Sequence, residues 1–143
     1  MRAALREAAA AAGSGDVPVG AVVLDADGAV IARGRNRREA DKDPTAHAEL
    51  VAIRSAARTA GGWRLDGMTL VATLEPCTMC AGAVVASGIV RLVYGAPDPR
   101  AGAVGSLWDV VRDQRLAPVP EVIEGVLADE CLDVIRRFFQ ERR

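Results

Sequence analysis

The sequence predicts an α/β chain of three layers, α/β/α, around a central five-stranded mixed sheet. Two observations carry this. Short runs rich in Val and Leu alternate with stretches of helical periodicity, which makes a sheet covered by helices the economical arrangement. Asp25-Ala26-Asp27-Gly28 places an Asp-Gly hairpin signal between two such runs.

The elements follow in order. Alanines 8 to 12 at helical spacing with Leu5 read as a first helix, which Gly13-Ser14-Gly15-Asp16 ends. Val19 to Leu24 reads as a buried strand, and Val30 to Gly34 returns as a second. A polar loop, Asn36 to Pro44, leads to a helix over 46–60, periodic through Leu50, Ile53 and Ala57 and stopped by Gly61-Gly62. Met68 to Leu74 is a third strand running straight into a helix over 76–87, for which Pro76 suits the first position. Arg91 to Gly95 is a fourth strand, followed by a Pro- and Gly-rich loop over 96–105. Ser106 is placed to cap a short helix over 107–111, Glu121 to Glu124 is a fifth strand, and Asp129 to Arg142 a final helix. With no repeat and no linker, residues 1–143 are expected to form one domain.

Composition narrows the class. Half of the residues are hydrophobic, yet the aromatics are only Trp63, Tyr94, Trp108, Phe138 and Phe139, so the core must be built of Ala, Val, Leu and Ile. A net charge of −1 gives no global field for polyanions. Three cysteines argue against a disulfide framework and fit a reducing compartment. No run approaches a membrane span, so no membrane partner and a cytoplasmic location are expected.

The chemistry lies in a split constellation, His47-Ala48-Glu49 and Pro76-Cys77-Thr78-Met79-Cys80. One imidazole and two thiols leave the fourth position of a tetrahedral zinc open to water, the mark of a catalytic site. On a helix, the Cys77/Cys80 spacing puts both sulfurs on one face, and the helix dipole favours their thiolates. Two thiolates balance Zn²⁺. Asp43 or Thr45 is expected to cap the helix that carries His47. A helix start also disfavours imidazolium, and a ligand must be neutral. Glu49 lies roughly 200° around a helix from His47. It is therefore poorly placed as a ligand on the same face and well placed to move a proton. Cys77 and Cys80 also fit a redox C-x-x-C pair, which Thr78-Met79 and the distant His-x-Glu disfavour. Cys131 is either a fourth ligand of a closed Cys₃His site or a small packing residue.

These motifs identify the chain as similar to the cytidine deaminase-like superfamily of zinc nucleobase deaminases. Within it, the chain resembles the bacterial tRNA adenosine deaminases. The resemblance is carried by Val17-Pro18-Val19-Gly20-Ala21-Val22, Asn36-Arg37, Asp43 to Glu49, Leu74-Glu75-Pro76-Cys77, Met79 to Ala83, Gly102-Ala103, Gly105-Ser106-Leu107, Glu124 to Cys131 and Phe138-Phe139. It implies one zinc per subunit on His47, Cys77 and Cys80, with Glu49 as the proton shuttle. Asn36, Val19, the Ala48 N–H and Asp98 would hold the flipped nucleotide. The implied reaction is hydrolysis of adenosine to inosine at the wobble position of a tRNA anticodon stem-loop. It also implies a homodimer, with Ala83, Val84 and Ala86 as a contact face. Arg35 and Pro97 depart from the family, which commonly has an aromatic residue before the Asn and often a basic one at the latter position. The alternative on the same scaffold is a deaminase of free guanine, cytosine or a nucleoside. Arg33, Arg35, Arg37, Arg38 and Lys42, against Glu39, Asp41 and Asp43, give a local positive excess beside Asn36 where RNA would pass.

Overall fold

The computed structural model describes residues 1–143. The elements are α1 (Arg2–Gly13), β1 (Gly20–Leu24), β2 (Val30–Arg35), α2 (Arg38–Asp41), α3 (Ala48–Ala60), β3 (Thr69–Leu74), α4 (Thr78–Ser87), β4 (Arg91–Ala96), β5 (Glu121–Ile123) and α5 (Ala128–Gln140). One five-stranded mixed sheet has the order β2-β1-β3-β4-β5. β1 is antiparallel to β2 and β3, whereas β3, β4 and β5 run parallel. The hairpin forms where Asp-Gly placed it: Asp25 Oδ1 accepts the N–H groups of Asp27 and Ala29, both at 2.9 Å, and Gly28 takes φ 85°.

Alternation along the strands divides the core. Ala21, Val23, Leu70, Ala72 and Leu92 join the main cluster with residues of α3 and α4, while Val22 and Val71 pack with Ala4 of α1 on the opposite face. α1 and α5 therefore cover one face, and α3 and α4 the other. Small residues let the helices come close. Ala4, Ala8 and Ala11 form the buried stripe of α1, and Ala48, Ala52 and Ala56 that of α3. Such contact between small side chains replaces aromatic bulk: of the aromatics only Tyr94 and Phe138 are buried. No helix is long and apolar enough to cross a membrane.

The structure corrects several local expectations. Residues 36–44 are not all loop, because α2 forms there. Its N-terminus is held from a distance by the buried Asp16, whose carboxylate accepts Glu39 N–H at 2.6 Å and Ala40 N–H at 3.2 Å. The 107–111 helix does not form. Ser106 hydrogen-bonds to Glu75 instead of capping, the N–H groups of Leu107 and Trp108 both donate to the Gly102 carbonyl, and Val104 bridges Asp109. Pro76 is not the first helical residue: Cys77, in extended backbone, is the N-cap of α4. α3 begins at Ala48 with His47 as its N-cap and no side-chain cap bond. Asp43 Oδ1 instead accepts from the N–H and hydroxyl of Thr45. Val84 is fully buried, so it belongs to the core and not to an outer face.

Candidate metal centre and substrate pocket

The carboxyl ends of β2, β3 and β4 lie at one edge of the sheet, where open α/β folds place ligands. β2 delivers Asn36, β3 delivers Glu75 to Cys77, and β4 delivers Asp98. Val19 reaches the same edge from the start of β1, where its carbonyl accepts the Asn36 N–H at 3.0 Å.

His47 and Cys77 are the N-caps of α3 and α4, so two helix starts converge. His47 Nδ1 lies 3.6 Å from the Sγ of Cys77 and 3.6 Å from that of Cys80, and the three donor atoms lie within 4.8 Å of one another. A tetrahedral zinc with bonds of about 2.05 Å to nitrogen and 2.3 Å to sulfur sets such atoms roughly 3.6 Å apart. The donor set fits zinc in distance and chemistry. Electrostatics match the expectation only at Cys77: the helix starts keep neither His47 neutral nor Cys80 ionised, because contacts within the cluster and burial outweigh the dipole. The hydrogen bond with Cys80, together with His47, brings the Cys77 thiol down to about 3. The same pairing and burial push Cys80 up. His47 is raised by its hydrogen bond to Cys77. The two sulfurs thus share one favoured negative charge, and a bound cation would favour the second.

Cys131 stands outside the group. It is buried at the start of α5 against Gly95, where a Cβ would fall 3.0 Å from the cysteine Cβ. The packing account therefore prevails over the closed Cys₃His site. Glu49 is also outside the donor group, though not through the expected helical offset, because His47 precedes the helix in extended backbone. It is 4% exposed, and burial raises its carboxyl from the ordinary 4.5 to about 7.

A pocket of about 220 Å³ opens over this centre. Val19, Asn36, His47, Ala48, Glu49, Cys77 and Asp98 all line it, while Cys80 lies buried within the donor group. Asn36 is held by both ends of its amide: Nδ2 donates to Val17 O at 3.1 Å and Oδ1 accepts Arg38 N–H at 3.2 Å, leaving one N–H and a lone pair. Asp98 Oδ1 accepts from the N–H groups of Arg100 and Ala101, a turn that leaves Oδ2 free. The turn reading and the pocket position hold together. A wider groove of about 460 Å³ between α1 and α5 contains neither histidine nor cysteine.

Sequence reasoning missed five lining residues: Val17, Arg38, Leu74, Glu75 and Ala101. Val17 and Leu74 add apolar wall, and Arg38 was visible only as one charge among five. Of that cluster, Arg37 is tied to Asp41 at 2.8 Å and Arg35 lies 3.7 Å from Glu7, whereas Arg38, Arg33 and Lys42 have no acidic partner. Glu75 also lines the pocket, and its many backbone partners lie too far along the chain for any local signal to reveal.

Residues 1–96 match the family model of the cytidine and deoxycytidylate deaminase zinc-binding region. The tRNA-specific adenosine deaminase of Bacillus subtilis strain 168 is 45% identical over all 143 residues, which span 88% of its length. A solved structure from studies of A-to-I editing by tRNA:A34 deaminases at the wobble position of transfer RNA superposes with a TM-score of 0.89 at 44% identity. The overlap covers 94% of this chain and 96% of that one. A guanine deaminase from Nitrosomonas europaea superposes with a TM-score of 0.83 at 27% identity, over 94% of this chain and 80% of its own.

Proposed function

Because the chain belongs to the cytidine and deoxycytidylate deaminase family, and within it to the tRNA-specific adenosine deaminases, we propose that it hydrolyses adenosine to inosine at the wobble position of a tRNA anticodon. The observation that carries the reading is a buried carboxyl, raised to about 7, in one small pocket with a His-Cys-Cys donor group of zinc dimensions.

His47, Cys77 and Cys80 hold the zinc, which when bound supplies Lewis-acid activation of water near neutral pH. Glu49 moves the proton. A carboxyl with its pKa near the working pH both accepts a proton from water and returns one to the purine ring nitrogen or the leaving ammonia. Asn36 presents its remaining N–H and lone pair to the base edge, and the Ala48 N–H, at the start of α3, points donor character into the same space. Val19 packs on the base and Asp98 holds the ribose with its free oxygen. The base must leave its stack, which a single-stranded anticodon loop makes cheap. Arg38, unpaired at the pocket, takes a phosphate.

A second copy of the chain fits the outer side of α4. That helix carries no charge and exposes Ala86 and part of Ala83, and its N-cap Cys77 bridges Gly102 of the loop that exposes Leu107 and Trp108.

The deciding experiment incubates zinc-loaded protein with an anticodon stem-loop bearing wobble adenosine, beside free adenosine, cytosine, cytidine and guanine. Inosine in the RNA alone is expected. Conversion of a free base with the RNA untouched would replace this reading by the small-molecule one.

A further inference from the structure

Glu75 is 2% exposed, yet it touches neither the donor group nor any basic side chain. Its two oxygens are spent on a single loop. Oε1 accepts the Asp98 N–H at 3.1 Å and the hydroxyl of Ser106, while Oε2 accepts the N–H groups of Val104 at 3.0 Å and Ser106 at 3.1 Å. Both ends of the 98–106 segment are thus gathered on one carboxylate. The backbone beside it completes the seam: Ala103 N–H donates to Pro76 O at 2.8 Å, and Gly102 bridges Cys77. Gly102 leaves the space the carboxylate occupies, for a Cβ there would overlap both Glu75 and the Asp98 carbonyl.

We propose that Glu75 is the positioning residue of the substrate pocket, closing the 98–106 loop on itself and fixing Asp98 relative to the Cys77 segment. This rests on the tRNA reading only for the identity of the nucleotide held. The residue sits between two tasks: the chain before it is strand, the chain after it carries the sulfur ligands, and it lines the same pocket as Asn36. A carboxylate is required because it alone offers four acceptor sites and no donor. Glutamine would turn an N–H₂ toward backbone N–H groups that need acceptors.

The test compares wild type, Glu75→Gln and Ser106→Ala, each zinc-loaded, with Glu75→Gln also placed in an Asp98→Ala background. Expected for Glu75→Gln are full zinc content, faster hydrogen exchange at the Val104 and Ser106 amides, and KM for the stem-loop raised roughly tenfold or more, with kcat within about threefold. In the Asp98→Ala background it should raise KM no further, since its effect passes through that residue. Ser106→Ala, which removes one bond and keeps the fold, should shift exchange and KM in the same direction by less. Unchanged exchange in both variants, loss of zinc, a fall in kcat at constant KM, or independent effects of Glu75→Gln and Asp98→Ala would each overturn the assignment. Exchange requires no substrate. Wild type that leaves the stem-loop unconverted would therefore defeat the tRNA reading while exchange still decides the role of Glu75.

Discussion

Gly34 of β2 lies so close to Ala52 of α3 that a Cβ on the glycine would fall 2.5 Å from the Ala52 amide nitrogen and 3.0 Å from its Cβ. The helix bearing Ala48 and Glu49, and capped by His47, is thus seated on the sheet without a side chain between them. Gly34→Ala must push α3 outward. We expect roughly 1–3 kcal/mol of destabilisation from overpacking, measured by denaturant melts, and weaker zinc retention in competition with a chelator. Wild-type zinc affinity in this variant would show that the seat does not set the position of His47.

Glu49→Gln should retain zinc and abolish turnover, because the amide cannot exchange a proton at neutral pH. It should also stabilise the metal-free protein, and the sign follows from the raised pKa. Below 4.5 the carboxyl is protonated folded and unfolded, and costs nothing. Between 4.5 and about 7 only the unfolded chain ionises, so stability falls as pH rises through that window and stays low above it. Thermal melts of the metal-free proteins should therefore favour the variant at pH 8 and converge near pH 4. Equal melting at pH 8 would remove the burial argument.

Cys131→Ala should keep stoichiometric zinc and cost roughly 1 kcal/mol through the packing lost against Gly95. Metal analysis after gel filtration decides it, since zinc loss would restore the closed four-ligand site.

Asp16→Ala removes two acceptors from the start of α2 and should cost on the order of 1 kcal/mol. Because α2 begins with Arg38, which lines the pocket, the same change should raise KM for the stem-loop while leaving zinc content untouched. A rise in KM without any loss of stability would separate the two roles.

Arg38→Ala should weaken stem-loop binding and lower the slope of log K against log salt by about 0.7–0.9, the share of one phosphate contact. Arg37→Ala, whose guanidinium already serves Asp41, should alter the slope less. Equal slopes for both variants would mean that neither reaches the RNA.

What the sequence disclosed was what neighbouring residues determine. The Asp27-Gly28 turn, the strand leading into Cys77 and the stop at Gly61 are properties of a few adjacent residues, and each formed where it was placed. The donor triad was legible because zinc chemistry restricts both residue type and spacing. The misplaced features depend on partners far along the chain. Ser106 has the chemistry of a helix cap, but its hydroxyl is claimed by Glu75, 31 residues earlier. α2 is held by Asp16, 23 residues before Glu39, so a polar stretch with no local cap reads as loop. Pro76 fits a helix start by its fixed φ, yet the extended backbone at Cys77 moves that start two residues on.

The sheet order makes the centre depend on one strand pairing. His47 arrives on the connection between β2 and β3, the two cysteines on the connection between β3 and β4, and β3 is the strand common to both. Residues before Asp66 contain His47 and Glu49 but no cysteine, and those after it contain every cysteine but no histidine. Neither half of the polypeptide owns a complete set of ligands. The donor set is complete at Cys80, before β4 and β5 in the chain, so the geometry of the centre depends on the β1–β3 pairing that brings the two halves together and not on the two C-terminal strands.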